Sequence, residues 1–387
     1  MIRSCTELSV QPFLHMNGGG IVKIRLITFC VALLLLTACT AKIDNNVVES
    51  PQDNEPVKHP EVIEEELGKV LAANPAKFHF VADWLTDTKI VYVEKEEGFY
   101  KVNSFDLSTG EIATLYEEQS IVIDVIIHPS KKYLLLHTSN DSTSATLKIL
   151  TTDGIVQDEI EIASTELGIE WNDLDPTLIL LTAFYEDWTF DLFLYDGEES
   201  HLGLLSIDDP FPRWFGTEQI VVWYVKDHLL DGSELLLFNP TTEEWIDLDI
   251  KGIVYFDTYE ETLVTVDINE AGDAHYVLSE LDGTVQSEWT LPAVSNYSEW
   301  VVPEVGWASS DTLFLRAPET GGQLDELASA FRLIMEKGGQ QQVVSEDVTA
   351  GFLRCSPSGA TCITGSAATT IIDVETGEQR IWLDLPK

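Results

Sequence analysis

A hydrophobic pair straddling a polar turn recurs seven times, a second polar turn follows each pair at constant phase, and the intervening apolar residues alternate with a period of two. Together these observations predict an all-β chain folded as a single β-propeller of four-stranded blades. The pairs are Trp84/Ile90, Ile127/Leu134, Trp171/Leu178, Trp214/Ile220, Phe256/Leu263, Trp307/Leu313 and Cys355/Cys362. Their first members lie 43, 44, 43, 42, 51 and 48 residues apart, the length of one blade. The second turns are Ser108 to Glu111, Thr152 to Ile155, Tyr195 to Glu198, Pro240 to Glu244, Leu281 to Thr284, Lys337 to Gln340 and Glu375 to Glu378. Both series give seven blades; one irregular unit outside the ring would make it six.

The chain has 387 residues, and its 10 Trp, 11 Tyr and 16 Phe supply core material for one large domain or two small ones. Against 22 Lys+Arg stand 66 Asp+Glu, a formal charge of -44. That balance argues against nucleic-acid binding, because phosphate backbones are gripped by clustered Lys and Arg. It repels anionic wall polymers and lipid headgroups too, and reads as a solvated acidic surface without a specific cation site.

At the N-terminus, Ile24 to Ala38 form an apolar run preceded by Lys23 and carrying Arg25 near its start, the pattern of a signal-peptide core. The run ends in Leu36-Thr37-Ala38-Cys39, which resembles the lipobox of bacterial lipoproteins. The resemblance implies cleavage before Cys39 and a diacylglycerol on its thiol, two acyl chains being enough for stable anchoring at about 0.8 kcal/mol per buried methylene. Residues 1–38 are therefore expected as a signal peptide. Within them residues 1–21 do not fit one, and Asn17-Gly18-Gly19-Gly20 would be encoded by purine-rich codons just ahead of Val22, the expected start. Loss of residues 1–38 removes Arg3, Lys23, Arg25 and Glu7 and leaves 19 basic against 65 acidic side chains. Residues 39–77 then form the lipidated cysteine, an acidic tether and a short helix, Glu61 to Ala73, closed by Pro75; residues 78–387 form the propeller domain.

Each blade is expected to run strand A, lower turn, strand B, upper loop, strand C, second lower turn, strand D. The A–B turns Cys355-Ser356-Pro357-Ser358-Gly359 and His128-Pro129-Ser130 resemble those of TolB-type propellers, whereas Trp214-Phe215-Gly216 departs from them, so this likeness concerns architecture and not activity. Taken together, the lipobox, the acidic tether and blades that begin on Asp83-Trp84 or Gly306-Trp307 resemble the YqgU-like lipoproteins of Gram-positive bacteria over residues 23–387. That resemblance implies a six-bladed ring held by its lipid on the outer face of the cytoplasmic membrane, with no assigned activity.

Trp84, Trp171, Trp214 and Trp307 share one phase, which marks packing between blades rather than sugar stacking. Cys355 and Cys362 fall opposite each other on neighbouring strands and read equally as a disulfide or as two small buried hydrophobes. The histidines form no HExxH, HxH or Cys/His zinc pattern, there is no GxSxG elbow, and Asp267 to Asp273 lacks the closing Glu of a calcium loop; no metal or cofactor is expected. The upper loops are unequal. They offer Tyr185 and Trp188, then Asp208, Asp209 and Phe211, then His228, exposed aromatics beside carboxylates that suit contact with a surface protein or wall ligand. The expected function is a non-enzymatic binding or scaffolding module; the alternative is an enzyme acting on cell-wall or surface glycans through Asp208, Asp209 and His228. Finally, the interval of 51 is attributed to an upper loop in blade six, Pro318 to about Ala330, where Leu324, Leu327 and Ala328 predict a short amphipathic helix that buries its stripe.

Overall fold

A strand packed between two others in the same sheet, and between two sheets, is buried on both faces and reads as a continuous apolar run. Strand B of each blade has this character: Ile90, Val91, Tyr92 and Val93 are all buried, whereas the outermost strand Val156–Ala163 alternates exposed and buried positions. The computed structural model describes residues 68–224, 229–302, 305–326 and 330–386. In the first blade the strands Phe78–Trp84, Lys89–Glu96, Phe99–Asp106 and Ile112–Glu118 are consecutive in sequence and adjacent in space. In the seventh they are Phe352–Cys355, Thr361–Gly365, Thr370–Asp373 and Gln379–Ile381. Blades four and five share one long strand, Glu244–Tyr259. Its first part pairs with Ser233–Asn239 as strand D of blade four, and its second with Thr262–Ile268 as strand A of blade five. The described residues thus hold seven four-stranded antiparallel units.

The hydrophobic clusters lie between blades, not within them. Leu135, Leu147, Trp171 and Leu181 join blades two and three, and Val264, Tyr276, Leu313 and Ile334 join five and six. Trp84 and Ile90 of blade one share a cluster with Ile363 and Ile371 of blade seven and with Trp382, which closes the ring. Polar links repeat the same step. The indole N–H of Trp84 donates to Arg354 O at 3.0 Å and that of Trp214 to Glu170 O at 3.2 Å, each reaching the preceding blade. His128 Nε2 donates to Asn172 O at 2.8 Å, and Asn172 Nδ2 to Gly216 O at 2.8 Å, each reaching the next. The recurrent Trp84, Trp171 and Trp214 are buried, at 0%, 6% and 2% exposure.

Five of the seven sequence pairs are direct register partners: Trp84↔Ile90, Ile127↔Leu134, Trp214↔Ile220, Trp307↔Leu313 and Cys355↔Cys362. The Cys355 and Cys362 sulfurs are bonded, with Cα atoms 3.9 Å apart. Two pairs slip. Trp171 faces Ile179 rather than Leu178, because the intervening turn is held by Asn172, whose Oδ1 accepts the N–H groups of Leu174 and Asp175. Phe256 faces Thr265, because a tight turn at Glu260-Glu261 lets the strands pair as far as Tyr259↔Thr262 and puts Thr258 opposite Leu263.

Three expectations are corrected. Leu71–Ala72, at the end of the expected helix, form an extended strand that pairs in parallel with Leu383–Asp384; residues 61–67 lie outside the described residues. The pairing satisfies backbone beside the ring closure, which an isolated helical turn would not. The interval of 51 separates Phe256 from Trp307, so its extra residues belong to the connection from blade five into blade six, part of which pairs as Val294–Ser295 with Gly322–Gln323. That pairing consumes the start of the expected amphipathic segment; Leu324–Glu326 then form a 3₁₀ turn with Leu324 47% exposed, and Leu327, Ala328 and Ser329 lie outside the described residues.

The second lower turn of each blade needs one residue in the left-handed region, supplied by Gly110, Gly154, Gly283 and Gly377 among others. Gly154 is the most constrained: at φ +80°, a Cβ there would lie 2.1 Å from Leu115 O of the preceding blade. Gly154→Ala is expected to destabilise the domain by about 2 kcal/mol, from a left-handed alanine plus displacement of a backbone carbonyl, read as a lower denaturant midpoint. Lys69 N–H donates to Leu107 O at 2.7 Å, just before that turn of blade one, which places Lys69 at the lower face. The opposite, upper face carries the B–C and D–A loops.

Candidate functional site

Blade three ends strand B at Phe184 and begins strand C at Phe190, directly paired residues whose rings lie 6.1 Å apart. Between them Tyr185 N–H donates to Thr189 O at 3.0 Å and Trp188 N–H to Tyr185 O at 3.1 Å, closing a tight loop around Glu186, Asp187 and Trp188. Asp187 Oδ1 accepts the Thr189 hydroxyl at 2.6 Å and its N–H at 3.2 Å. These bonds hold the Asp187 carboxyl below its ordinary range. The turn geometry calls for a left-handed residue at its last position, a place usually given to glycine. Here it is Trp188, at φ 67° and 95% exposed.

The connection into blade four packs against this loop. Thr182 Oγ1 donates to Pro210 O at 2.9 Å, and the Phe211 ring lies 5.9 Å from that of Phe184 while remaining 46% exposed. Asp208 is exposed. Asp209 is buried, at 5% exposure, and its two oxygens accept the backbone N–H groups of Phe211 at 2.8 Å and Trp223 at 2.6 Å. Burial raises its pKa, opposed by those two amides and by Arg213. Asp209 therefore fixes the connection against strand B of blade four and leaves no free carboxylate edge for acid–base work. Tyr185 is half-buried; its hydroxyl donates to Asp191 Oδ2 at 2.9 Å, and burial followed by that carboxylate raises its pKa. The result is an aromatic rim, Phe184, Phe190, Phe211 and Trp188, edged by Glu186, Asp187 and Asp208.

Of the residues expected from sequence, Trp188, Asp208 and Phe211 reach the surface of this rim, Tyr185 and Asp209 support it from beneath, and His228 lies outside the described residues. Cys39 does too. Phe184 and Phe190 escape the sequence argument because they end strands, although two phenylalanines bracketing a short polar loop were a usable signal. A second exposed patch is also visible only in three dimensions. Tyr297, at 68% exposure and φ 71°, directs its hydroxyl to Asp325 at 3.3 Å, and Trp300 Nε1 donates to Leu230 O at 3.3 Å, so loops of blades four, five and six meet. Among the described residues no cluster of His, Cys, Asp and Glu is arranged to hold a metal ion. The Asp267 carboxylate accepts from His275 Nδ1 at 2.9 Å, and Asn269 caps the hairpin through Ala271 N–H, the arrangement of a plain β-turn.

Comparison with known proteins places this architecture. Residues 106–365, more than half of the chain, match the model of the YqgU-like 6-bladed β-propeller domain. The match runs from the end of strand C in blade one to the end of strand B in blade seven, so the strands flanking the ring closure fall outside it. The chain is 22% identical to an uncharacterised lipoprotein, YqgU, of Bacillus subtilis (strain 168), over 68% of this chain and 74% of that one. It is similar in fold to a protein of Listeria monocytogenes EGD-e, lmo1340, solved at 1.18 Å, with a TM-score of 0.74 at 16% identity over 83% of this chain and 98% of that one. A more distant likeness, TM-score 0.53 at 11% identity, covers 81% of this chain and 51% of a prolyl endopeptidase, and concerns the fold alone. A ring of four-stranded blades, a match spanning most of its circumference and a relative that is itself a lipoprotein lead to one conclusion: the chain belongs to the YqgU-like β-propeller family.

Proposed function

We propose that the protein is a lipid-anchored module outside the cytoplasmic membrane of a Gram-positive bacterium, binding or scaffolding a partner through the aromatic rim of its upper face without catalysing a reaction. The anchor is the diacylglycerol on Cys39, supported by the lipobox and by the lipoprotein relative. In this reading a Cys39→Ser precursor partitions into the soluble fraction; retention in the membrane fraction overturns the anchor.

One observation carries the binding role. Trp188 is 95% exposed and occupies a left-handed turn position that glycine would fill without strain. A large aromatic there contributes little to packing and costs about 1 kcal/mol in backbone conformation, the signature of a residue kept for contact. Trp188→Gly is therefore expected to raise stability by up to about 1 kcal/mol, a shift of roughly 2 °C upward in melting temperature, while capture of a surface partner is lost. A fall in melting temperature instead would make Trp188 a packing residue. Turnover of wall glycans abolished by Asp208→Asn would replace the module with the enzyme reading.

A further inference from the structure

Around blades three to six the described upper loops join apolar exposure to acidic charge; the lysines at the upper end of blade one, Lys77 and Lys95, lie elsewhere on the ring, and Lys226 and His228 of the blade-four loop lie outside the described residues. The described upper-loop segments 185–189, 206–212, 296–300 and 318–326 contain acidic residues but no Lys, Arg or His. Trp188, Phe211 and Tyr297 stand exposed among them, while the loops at 97–98, 140–143 and 366–369, on the other side of the ring, expose no large hydrophobic side chain. An anionic occupant is repelled by such a surface. A purely apolar one would strip water from Glu186, Asp187 and Asp208 without replacing it. A cation does neither: ammonium and guanidinium groups are drawn to indole and phenyl faces by about 0.5–1 kcal/mol at exposed sites, and carboxylates beside the rings add charge-assisted hydrogen bonds.

Resting on the binding-module reading above, we propose that the rim between blades three and four docks a lysine- and arginine-rich segment of a partner polypeptide, its cations seated on Trp188 and Phe211 and paired with Glu186, Asp187 and Asp208. The segment is polypeptide rather than a single small cation because the two loops present separate rings and carboxylates along one edge of the blade. It differs from general attraction to an acidic protein in depending on uncharged side chains.

The test uses the mature chain and a fluorescein-labelled decaarginine peptide, with decaglutamate as control, titrated at low and moderate salt. Wild type is expected to bind decaarginine and not decaglutamate. Trp188→Ala with Phe211→Ala, which leaves the net charge unchanged, is expected to weaken binding about tenfold while the domain stays folded, with a fall of a few degrees at most in melting temperature from the lost Phe211–Phe184 contact. Glu186→Gln with Asp187→Asn and Asp208→Asn should weaken it similarly and flatten the salt dependence, whereas Glu111→Gln with Asp153→Asn and Glu375→Gln on the lower face should not. Equal affinity for wild type and the aromatic double variant overturns the proposal, since the peptide would then be reading net charge alone. The underlying module fails separately: Trp188→Ala abolishing capture of a partner through an acidic or uncharged segment removes only the cationic assignment, whereas Trp188→Ala without effect on any capture removes the binding role.

Discussion

Arg213→Met is expected to destabilise the propeller by about 3 kcal/mol. Arg213 lies on the innermost strand of blade four. Its Nη1 donates to Glu170 Oε2 of blade three at 3.0 Å and its Nε to Asp257 Oδ1 of blade five at 3.1 Å, so one guanidinium ties three blades. The two carboxylate side chains are only 11% and 15% exposed. Asp257 Oδ2 also accepts the indole N–H of Trp307 in blade six at 3.0 Å, which extends the chain to a fourth blade. Methionine preserves the packing of the stem but removes the cation shared by two poorly hydrated carboxylates, and losing that charge costs more than the two hydrogen bonds alone. Chemical denaturation should show the lower midpoint, and the triple variant Arg213→Met, Glu170→Gln, Asp257→Asn should recover most of the loss. A single variant within 0.5 kcal/mol or so of wild type would mean that water reaches these carboxylates freely.

Acid should weaken the fold through blade two between pH 6.5 and pH 4. His137 is buried, at 4% exposure, with its Nδ1 lacking a hydrogen-bond partner among the described residues, and burial depresses its pKa to about 4 despite the opposing charge of Asp124. His128 is shifted the same way by burial; the Ser130 N–H donating to its Nδ1 at 3.1 Å fixes the neutral tautomer that donates from Nε2 to Asn172 O. For a histidine whose folded pKa is lowered, the unfolded chain takes up its proton first as pH falls. Stability is therefore complete above pH 6.5 and declines by roughly 1.4 kcal/mol per pH unit until the folded form also titrates, on the order of 3 kcal/mol in all for His137. Protonation of the many carboxylates relieves self-repulsion in the opposite direction. The difference between wild type and His137→Gln isolates the histidine term: the variant should lose less stability than wild type between pH 7 and pH 4. Parallel stability curves would show that His137 is hydrated.

The sequence determined by itself what depends on local, repeated chemistry. Period-two alternation, a hydrophobic residue before each A–B turn and a polar later turn, with a glycine in six of the seven, are statements about one strand or one turn, and they sufficed for an all-β propeller with seven phased units. Five of seven cross-strand registers followed because a short hairpin leaves one way to keep both apolar faces inward. The two that slipped, at Trp171 and Phe256, depend on turns whose hydrogen bonds are set by side chains such as Asn172, and a shift of one or two residues there leaves the pattern of apolar letters nearly unchanged. The upper-face loops were found from their composition, yet composition could not distinguish exposed Asp208 from buried Asp209, which share type and neighbourhood. What separates them is that the Asp209 carboxylate meets two amides, one of them Trp223 N–H on the neighbouring strand, fourteen residues along the chain. Gly322–Gln323, at the start of the expected amphipathic stripe, pair as a strand with Val294–Ser295, a partner 28 residues away that no helical periodicity can reveal. Ring closure, the link from Glu170 through Arg213 to Asp257, and the strand formed by Leu71–Ala72 belong to the same class. Each is a contact between distant segments whose energy comes from satisfying buried polar groups, so only the assembled structure decides which residues carry it.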